Sequence, residues 1–278
     1  MNARFDGTAF DGTTFDEMEI GGYRIDAVID GEHTFNPARV FDGTTAEDWA
    51  AHEDLLDENG RLPMVIGGFL VRGHGRTALV DLGYGPGTVM GIPTGNMMNA
   101  LHDLGVDPVD VTDVLFTHLH LDHIGWASID GVPQFPKATF RCGAGDYEHF
   151  VVGHNDAFAD ERLGPCADRF ETYDQSPPLP GITTLAAPGH TPGSTIIVVS
   201  EGTERAMMLG DVVHCPVQLL DDEWGALFDF DLEMARRTRT RVAAELEGDT
   251  SLVMAGAHFP GLRFGRLLRG EGRRQWVV

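Results

Sequence analysis

The 278-residue chain is short of positive charge and of cysteine, and it has no long apolar run. Lysine and arginine number 20 against 43 acidic residues, for a formal net charge of -23. The surplus is spread along the chain rather than gathered in a tail, so it reads first as a solvated acidic surface. Such a field repels phosphate backbones, which argues against nucleic-acid partners and anionic membranes. No apolar stretch approaches the roughly 18 residues of a membrane span, and no membrane association is expected. The first twenty residues, MNARFDGTAFDGTTFDEMEI, have neither the basic start nor the apolar stretch of a secretory leader, so a cytoplasmic location is expected. The three cysteines, Cys142, Cys166 and Cys215, are widely spaced without a CxxC pair. That points away from a disulfide framework or a thiolate metal site and towards buried packing residues.

What is present is an alternation of short apolar runs and amphipathic segments. The turn-forming phrase FDGTAFDGTTFDE, echoed at Phe41–Thr45, suggests a flexible N-terminal arm over residues 1–20 with aromatic anchors. No linker-like composition divides the remainder, so a single domain is expected over 21–278. Strands are expected at Tyr23–Ile29, Met64–Val71, Arg76–Asp81, Asp113–Thr117 and Ala138–Arg141, and again at Ile182–Ala186, Thr195–Ser200, Arg205–Leu209, Ser251–Ala255 and Leu262–Leu268. Helices are expected over Ala46–Leu56, Asn96–Leu104 and Asp231–Leu246, with another opening at Gly145. Asn155–Pro180, polar and rich in Pro and Gly, reads as a loop-bearing excursion. Two runs of strands with intervening helices imply layered α/β packing.

The sharpest signal is FTHLHLDHIGW, Phe116–Trp126, which follows the apolar run DVLFT. His118 and His120 are two apart in an extended segment and so point to one side, where they can share an ion. Asp122 and His123 follow where the chain changes direction. Further ligand-type residues fall at later strand ends: His190 in PGHTPGS, Asp211 in MLGDVV and His258 in AGAHFPG. Strand ends are where a rigid sheet supports functional groups. Seven ligands are too many for one four-coordinate zinc and suit two ions sharing a carboxylate. His33, His52, His74, His102, His149 and His154 have no such context and read as surface or packing residues.

HLHLDH, GHTPGS, GD and the late histidine resemble the metallo-β-lactamase superfamily, and the likeness runs from about Phe69 to the C-terminus. FLVRGHGRTALVDLGYGPG resembles its opening strands. The resemblance implies a four-layer αβ/βα sandwich with two metals at one edge. It would place His118, His120 and His190 on the first ion and Asp122, His123 and His258 on the second, with Asp211 bridging. Asp81 would support a ligand imidazole, and Asp122 would also take or pass a proton. Ligation by nitrogen and oxygen alone suits Zn2+ and also manganese, cobalt or iron.

Among its branches, the lactonase and methyl-parathion-hydrolase-like one is nearest, through AHFPG, DFDLEMARRTRTRV and a long stretch before FLV. The resemblance implies hydrolysis of a small-molecule lactone or aryl ester by a metal-bridging hydroxide, with organophosphate triesters as a side activity and a homodimer as one possible assembly. The chain departs from quorum-quenching lactonases at His214, three residues after Asp211, where those enzymes commonly carry a substrate-holding tyrosine. His214 is therefore a second catalytic candidate beside Asp122. Trp126, Phe150, Phe158, Leu219, Leu220, Trp224 and Phe228 are candidate pocket residues, of which two or three are expected to face substrate. No arginine cluster lies near the motifs, which favours an uncharged substrate. The alternatives are an iron-dependent redox or persulfide-oxidising protein of the same fold, or a β-lactamase or thioesterase.

Overall fold

The computed structural model describes residues 18–278 apart from 90, 174, 175, 222, 250 and 271. Two sheets carry it. The first has seven strands in chain order: β1 (Met18–Ile20), β2 (Tyr23–Phe35), β3 (Leu62–Gly73), β4 (Arg76–Val80), β5 (Asp113–Leu115), β6 (Thr139–Cys142) and β7 (Phe170–Thr172). Neighbours are antiparallel from β1 to β4 and parallel from β4 to β7. The second has four: β8 (Ile182–Ala186), β9 (Thr195–Glu201), β10 (Glu204–Met208) and β11 (Val253–Ala255). Only its last pair is parallel.

Period-two side-chain alternation turns these sheets into four layers. In β3, Phe69 and Val71 pack with Ile197, Val199 and Met208 of the second sheet, while Leu70 between them faces outward. That outer face, with Leu79, Val114 and Phe140, is covered by helices α1 (Met97–Asp103), α2 (Leu121–Ile124) and α3 (Ala157–Leu163). On the second sheet Ile196, Val198, Met207 and Met254 face outward onto α4 (Leu232–Gly248). Helix α4 starts where the Asp231 side chain accepts from the Met234 amide, and it buries Ala235, Val242, Ala243 and Leu246 along one stripe. The result is the expected αβ/βα sandwich.

Several expectations shift in detail. The Asn155–Pro180 stretch is not an open excursion, because it contains α3, a 3-10 turn over Gly164–Arg169 and β7. Its proline misled: Pro165 stands at the start of that turn, where a missing N–H costs nothing, and Leu163 and Cys166 are buried. The Ala46–Leu56 helix divides into one capped turn, Ala46–Trp49, and a 3-10 segment, Ala50–Leu55. The last strand starts at Arg266 rather than Leu262 and pairs with Arg273–Val277. Gly261 and Leu262 have positive φ, which bends the chain there. Residues 1–17 of the expected N-terminal arm lie outside the described residues, while Met18–Ile20 are strand β1. All three cysteines are buried and free. Among the described residues no helix is long and apolar enough to cross a membrane.

One irregularity bears on the site. The β2–β3 register slips between Ile29 and Gly31, leaving Asp30 on a bulge. The ends of β4 and β5 and those of β10 and β11 meet at one edge of the sandwich, and the ligand-type residues follow them.

Candidate metal centre

Two short loops begin the site. After β5, Thr117 and His118 leave the sheet, and α2 then carries Asp122 and His123. After β4, Asp81 has a φ of 62, unusual for a residue with a side chain. Its carboxylate accepts from the Thr117 amide (2.8 Å), the Thr117 hydroxyl (2.7 Å) and His123 Nδ1 (2.9 Å). Because the Thr117 hydroxyl donates to Asp81, it accepts from His118 Nδ1 at 3.1 Å. The strained aspartate thus fixes two imidazoles at once, and both turn Nε2 inward.

The second sheet supplies the rest with the same logic. His190 Nδ1 donates to Asp229 (3.1 Å), whose other oxygen accepts from the fully buried Arg239 (2.9 Å). His258 Nδ1 donates to the Val65 carbonyl at 2.9 Å. The loops are stapled by Asp146, which accepts from the Leu119 and Gly193 amides and the Thr191 hydroxyl. Gly193 must be glycine, since a Cβ would lie 2.2 Å from the Asp146 backbone nitrogen.

Ligand atoms therefore converge in two groups, each within 4.8 Å: His118, His120 and His190, and Asp122, His123, Asp211 and His258. Asp211 lies between them. Its oxygens are 3.3 Å from His123 Nε2, 3.1 Å from His258 Nε2, 3.4 Å from His190 Nε2 and 3.9 Å from His118 Nε2. His214 joins at 3.3 Å, forming a third grouping with His190 and Asp211. All eight residues singled out by sequence are brought together.

The chemistry of this set fits cations. His118 Nε2, His123 Nε2 and Asp211 Oδ1 are buried without a hydrogen-bond partner, as are both ring nitrogens of His214. Such unpartnered buried polar atoms are costly unless something binds them. His120 Nδ1 lies 2.9 Å from His190 Nε2, although His190 already commits its Nδ1 proton to Asp229. Burial, reinforced by neighbouring imidazoles, holds His118 well below the usual histidine range and His120 at about 4. Burial also lowers His190. These three are neutral, the form that ligates. Around Asp211 the sign reverses. Burial opposes a charged His123 and His258, yet Asp211 and Asp122 raise the first well above its usual value and the second to about 9. Burial would raise Asp211, but His258, His123 and His214 hold it well below the usual carboxylate range.

The cluster floors a cavity of about 980 Å3. Val40, Met64, Ile66, Tyr84, Leu227 and Phe228 make its apolar wall, and His33, Arg39 and Arg61 its polar one. Of the seven expected pocket residues only Phe228 lines it. Trp126, Phe150 and Phe158 pack in the α-covered core, Leu219 and Leu220 on the second sheet, and Trp224 against Trp49 and Phe41. Phe150 still meets the His120 ring edge-on. No arginine cluster lies near the motifs in sequence, but the segments after β2 bring Arg39 and Arg61 to the cavity from far along the chain. His33, expected as a surface or packing residue, comes with them.

Sequence reasoning missed Asp229, Arg239 and Asp146. Asp229 sits two residues before the α4 cap in DFD, so it passes for another surface acid at a helix start; nothing local marks it as buried. Comparison with known proteins agrees with the geometry. The Metallo-beta-lactamase superfamily profile matches residues 68–256. An N-acyl homoserine lactonase of a Bacillus species is 23% identical over 146 residues, 52% of this chain and 56% of that protein. N-acyl homoserine lactonase AttM of Rhizobium radiobacter is 29% identical over 122 residues, 38% of this chain and 42% of that one. The chain thus spans about half the length of the curated relatives it matches. Among solved structures, hydrolase AbOPH of the beta lactamase superfamily superposes with a TM-score of 0.80 at 24% identity, covering 94% of this chain and 96% of that one. AidC, a dizinc quorum-quenching lactonase, does so with 0.83 at 21% identity, covering 95% and 96%.

Proposed function

The chain belongs to the metallo-beta-lactamase superfamily, and from that premise we propose that it is a dinuclear metal-dependent hydrolase of a small lactone or aryl ester. The observation that carries this reading is the convergence of seven ligand atoms, four of them imidazole Nε2 atoms whose Nδ1 protons are committed elsewhere. Scattered surface histidines do not share that arrangement. In this reading His118, His120 and His190 would hold one ion and Asp122, His123 and His258 the other, with the Asp211 carboxylate, which lies between the two groups, available to either. Zinc is favoured as the commonest occupant, while nitrogen and oxygen ligation equally suits manganese, cobalt or iron. When bound, the pair supplies Lewis acidity towards a carbonyl or phosphoryl oxygen and lowers the pKa of a water to about 7.

The protein's own groups do the rest. Asp122 is the most solvent-accessible of the ligands around Asp211 and can pass a proton between cavity and solvent. His214 lines the cavity three residues beyond Asp211, with Nε2 3.3 Å from that carboxylate and no hydrogen bond to either ring nitrogen, and is proposed to approach a substrate oxygen once a small shift uncovers its ring. The apolar wall receives an acyl or aryl group and excludes water from it. Arg39 and Arg61 add a polar side to the pocket, which suits an ester or lactone with a polar distal group; Arg61 is already held by Thr34. Organophosphate triesters are the side activity this reading proposes.

A panel of chromogenic esters, lactones, phosphotriesters and a cephalosporin, run with and without chelator, tests the proposal. Chelator-sensitive ester or lactone turnover is expected. Asp211→Ala should lose more than the roughly 100-fold typical of an outer-shell partner. Undiminished turnover in that variant refutes the bridging role. One iron per chain with oxygen uptake on a thiol refutes hydrolysis in favour of redox chemistry.

A further inference from the structure

The loop after β4 reads DLGYGPG, and its tyrosine is placed with unusual care. Asp30, on the β2 bulge, receives five donors: the amides of Tyr84 (2.9 Å), Gly85 (3.2 Å), Gly95 (3.2 Å) and Met97 (3.0 Å), and Trp126 Nε1 (2.8 Å). The same loop is laced to the end of α2, where the Leu82 amide donates to the His123 carbonyl and the Gly125 and Trp126 amides donate to Gly83 and Leu82. The approach is so close that a Cβ at Gly125 would lie 1.8 Å from the Tyr84 carbonyl carbon. Tyr84 therefore cannot shift without shifting the helix that bears Asp122 and His123.

Its ring packs with Ile66 and Ile92 and is 8% exposed. Buried tyrosines normally bond their hydroxyl. Among the described residues this one has no hydrogen-bond partner, and it is not one of the solvent-shielded unpaired atoms, so it opens into the cavity that it lines with the ligand cluster.

We propose that the Tyr84 hydroxyl is a substrate-facing donor, bonding the acyl oxygen of the ester or lactone as negative charge gathers there. This rests on the hydrolase reading above. The phenol keeps its proton throughout, so no bond other than a hydrogen bond is made or broken. It stands on the first sheet, whereas His214 stands on the second, and the two would grip the reacting group from different halves of the molecule. A rigid loop suits that task, because a donor helps most when it needs no reorganisation as charge develops.

The test is Tyr84→Phe in the metal-loaded protein, which removes one oxygen and keeps the ring on Ile66 and Ile92. Expected are an unchanged metal content and melting temperature, a kcat lower by about 100-fold, and a KM within a few-fold. A second readout is independent of turnover. Calorimetric binding of a phosphonate monoester, which mimics the charged tetrahedral state, should weaken about 10-fold or more, while binding of the neutral alcohol product should not change. Unchanged kcat and phosphonate affinity overturn the assignment and leave the hydrolase reading standing. A fall in metal content that accounts for the lost activity makes Tyr84 structural and overturns it too. Wild-type protein inert on the whole ester and lactone panel sinks the hydrolase reading and this proposal with it.

Discussion

At the scale of single residues, the site is a problem of tautomers. An imidazole offers one lone pair, and which nitrogen carries it depends on where the other's proton goes. Asp229 settles this for His190, and Arg239 in turn settles Asp229; both are buried at 1% exposure or less. Asp229→Asn keeps the shape but gives the position an amide that can present N–H to His190 Nδ1, favouring the wrong tautomer. Metal affinity measured by competition with a chromophoric chelator is expected to fall about 10- to 100-fold, and stability to fall as well because the buried Arg239 loses its counter-ion. Full affinity in that variant would show that His190 is oriented by packing alone. The contrast with Asp122 shows what a sequence discloses. Asp122 stands one residue from His123 in a recognisable run, and its chemistry is readable because its neighbours in the chain are its neighbours in space. Asp229 is 39 positions from His190, and Tyr84 nearly as far from Asp122, so their roles exist only once the chain has folded. Arg39 and Arg61 were hidden for the same reason.

At the scale of elements, the longer core strands and α4 were legible because period-two and period-3.6 apolar patterns cause them directly, whereas the short edge strands β1 and β7 carry too few residues to show one. The loops that shape the cavity were not, because their conformations depend on partners such as Asp30. That carboxylate holds five donors drawn from three segments, the farthest being Trp126, 96 positions away. Asp30→Asn can accept with one oxygen only and turns its own N–H2 towards other donors. At least two buried N–H groups then lose their partner, at about 1–3 kcal/mol each. A loss of about 2–6 kcal/mol in urea unfolding is expected, together with faster amide exchange in residues 83–97 before the rest of the fold. Stability within about 0.5 kcal/mol of wild type would mean that water replaces the carboxylate, and that the loop is held by its glycines instead.

At the scale of the whole molecule, the two sheets contribute unequal but complementary halves of one centre. His118, His120, Asp122 and His123 leave the first sheet, while His190, Asp211 and His258 leave the second. An ion held by His118, His120 and His190 therefore joins the halves, and so does one held by His123, Asp211 and His258. Without ions, the same edge of the sandwich keeps unpartnered imidazole nitrogens and a buried carboxylate oxygen facing each other. Under the proposed metal binding, folding and ion uptake would be linked, since the unfolded chain cannot assemble ligand groups from positions 118 to 258. Free metal at 1,000 times its dissociation constant stabilises the native state by about 4 kcal/mol per site. For a chain of this size that corresponds to roughly 10 °C in melting temperature. Stripping the protein with chelator is expected to lower the melting temperature by that order, and zinc should restore it. In Asp211→Ala, which removes the carboxylate proposed to serve both groups, the shift should shrink sharply. A melting temperature that ignores both chelator and zinc would show that each half stands on its own core, Val71 against Val199 and Leu70 against its helices, and that the ions serve chemistry alone.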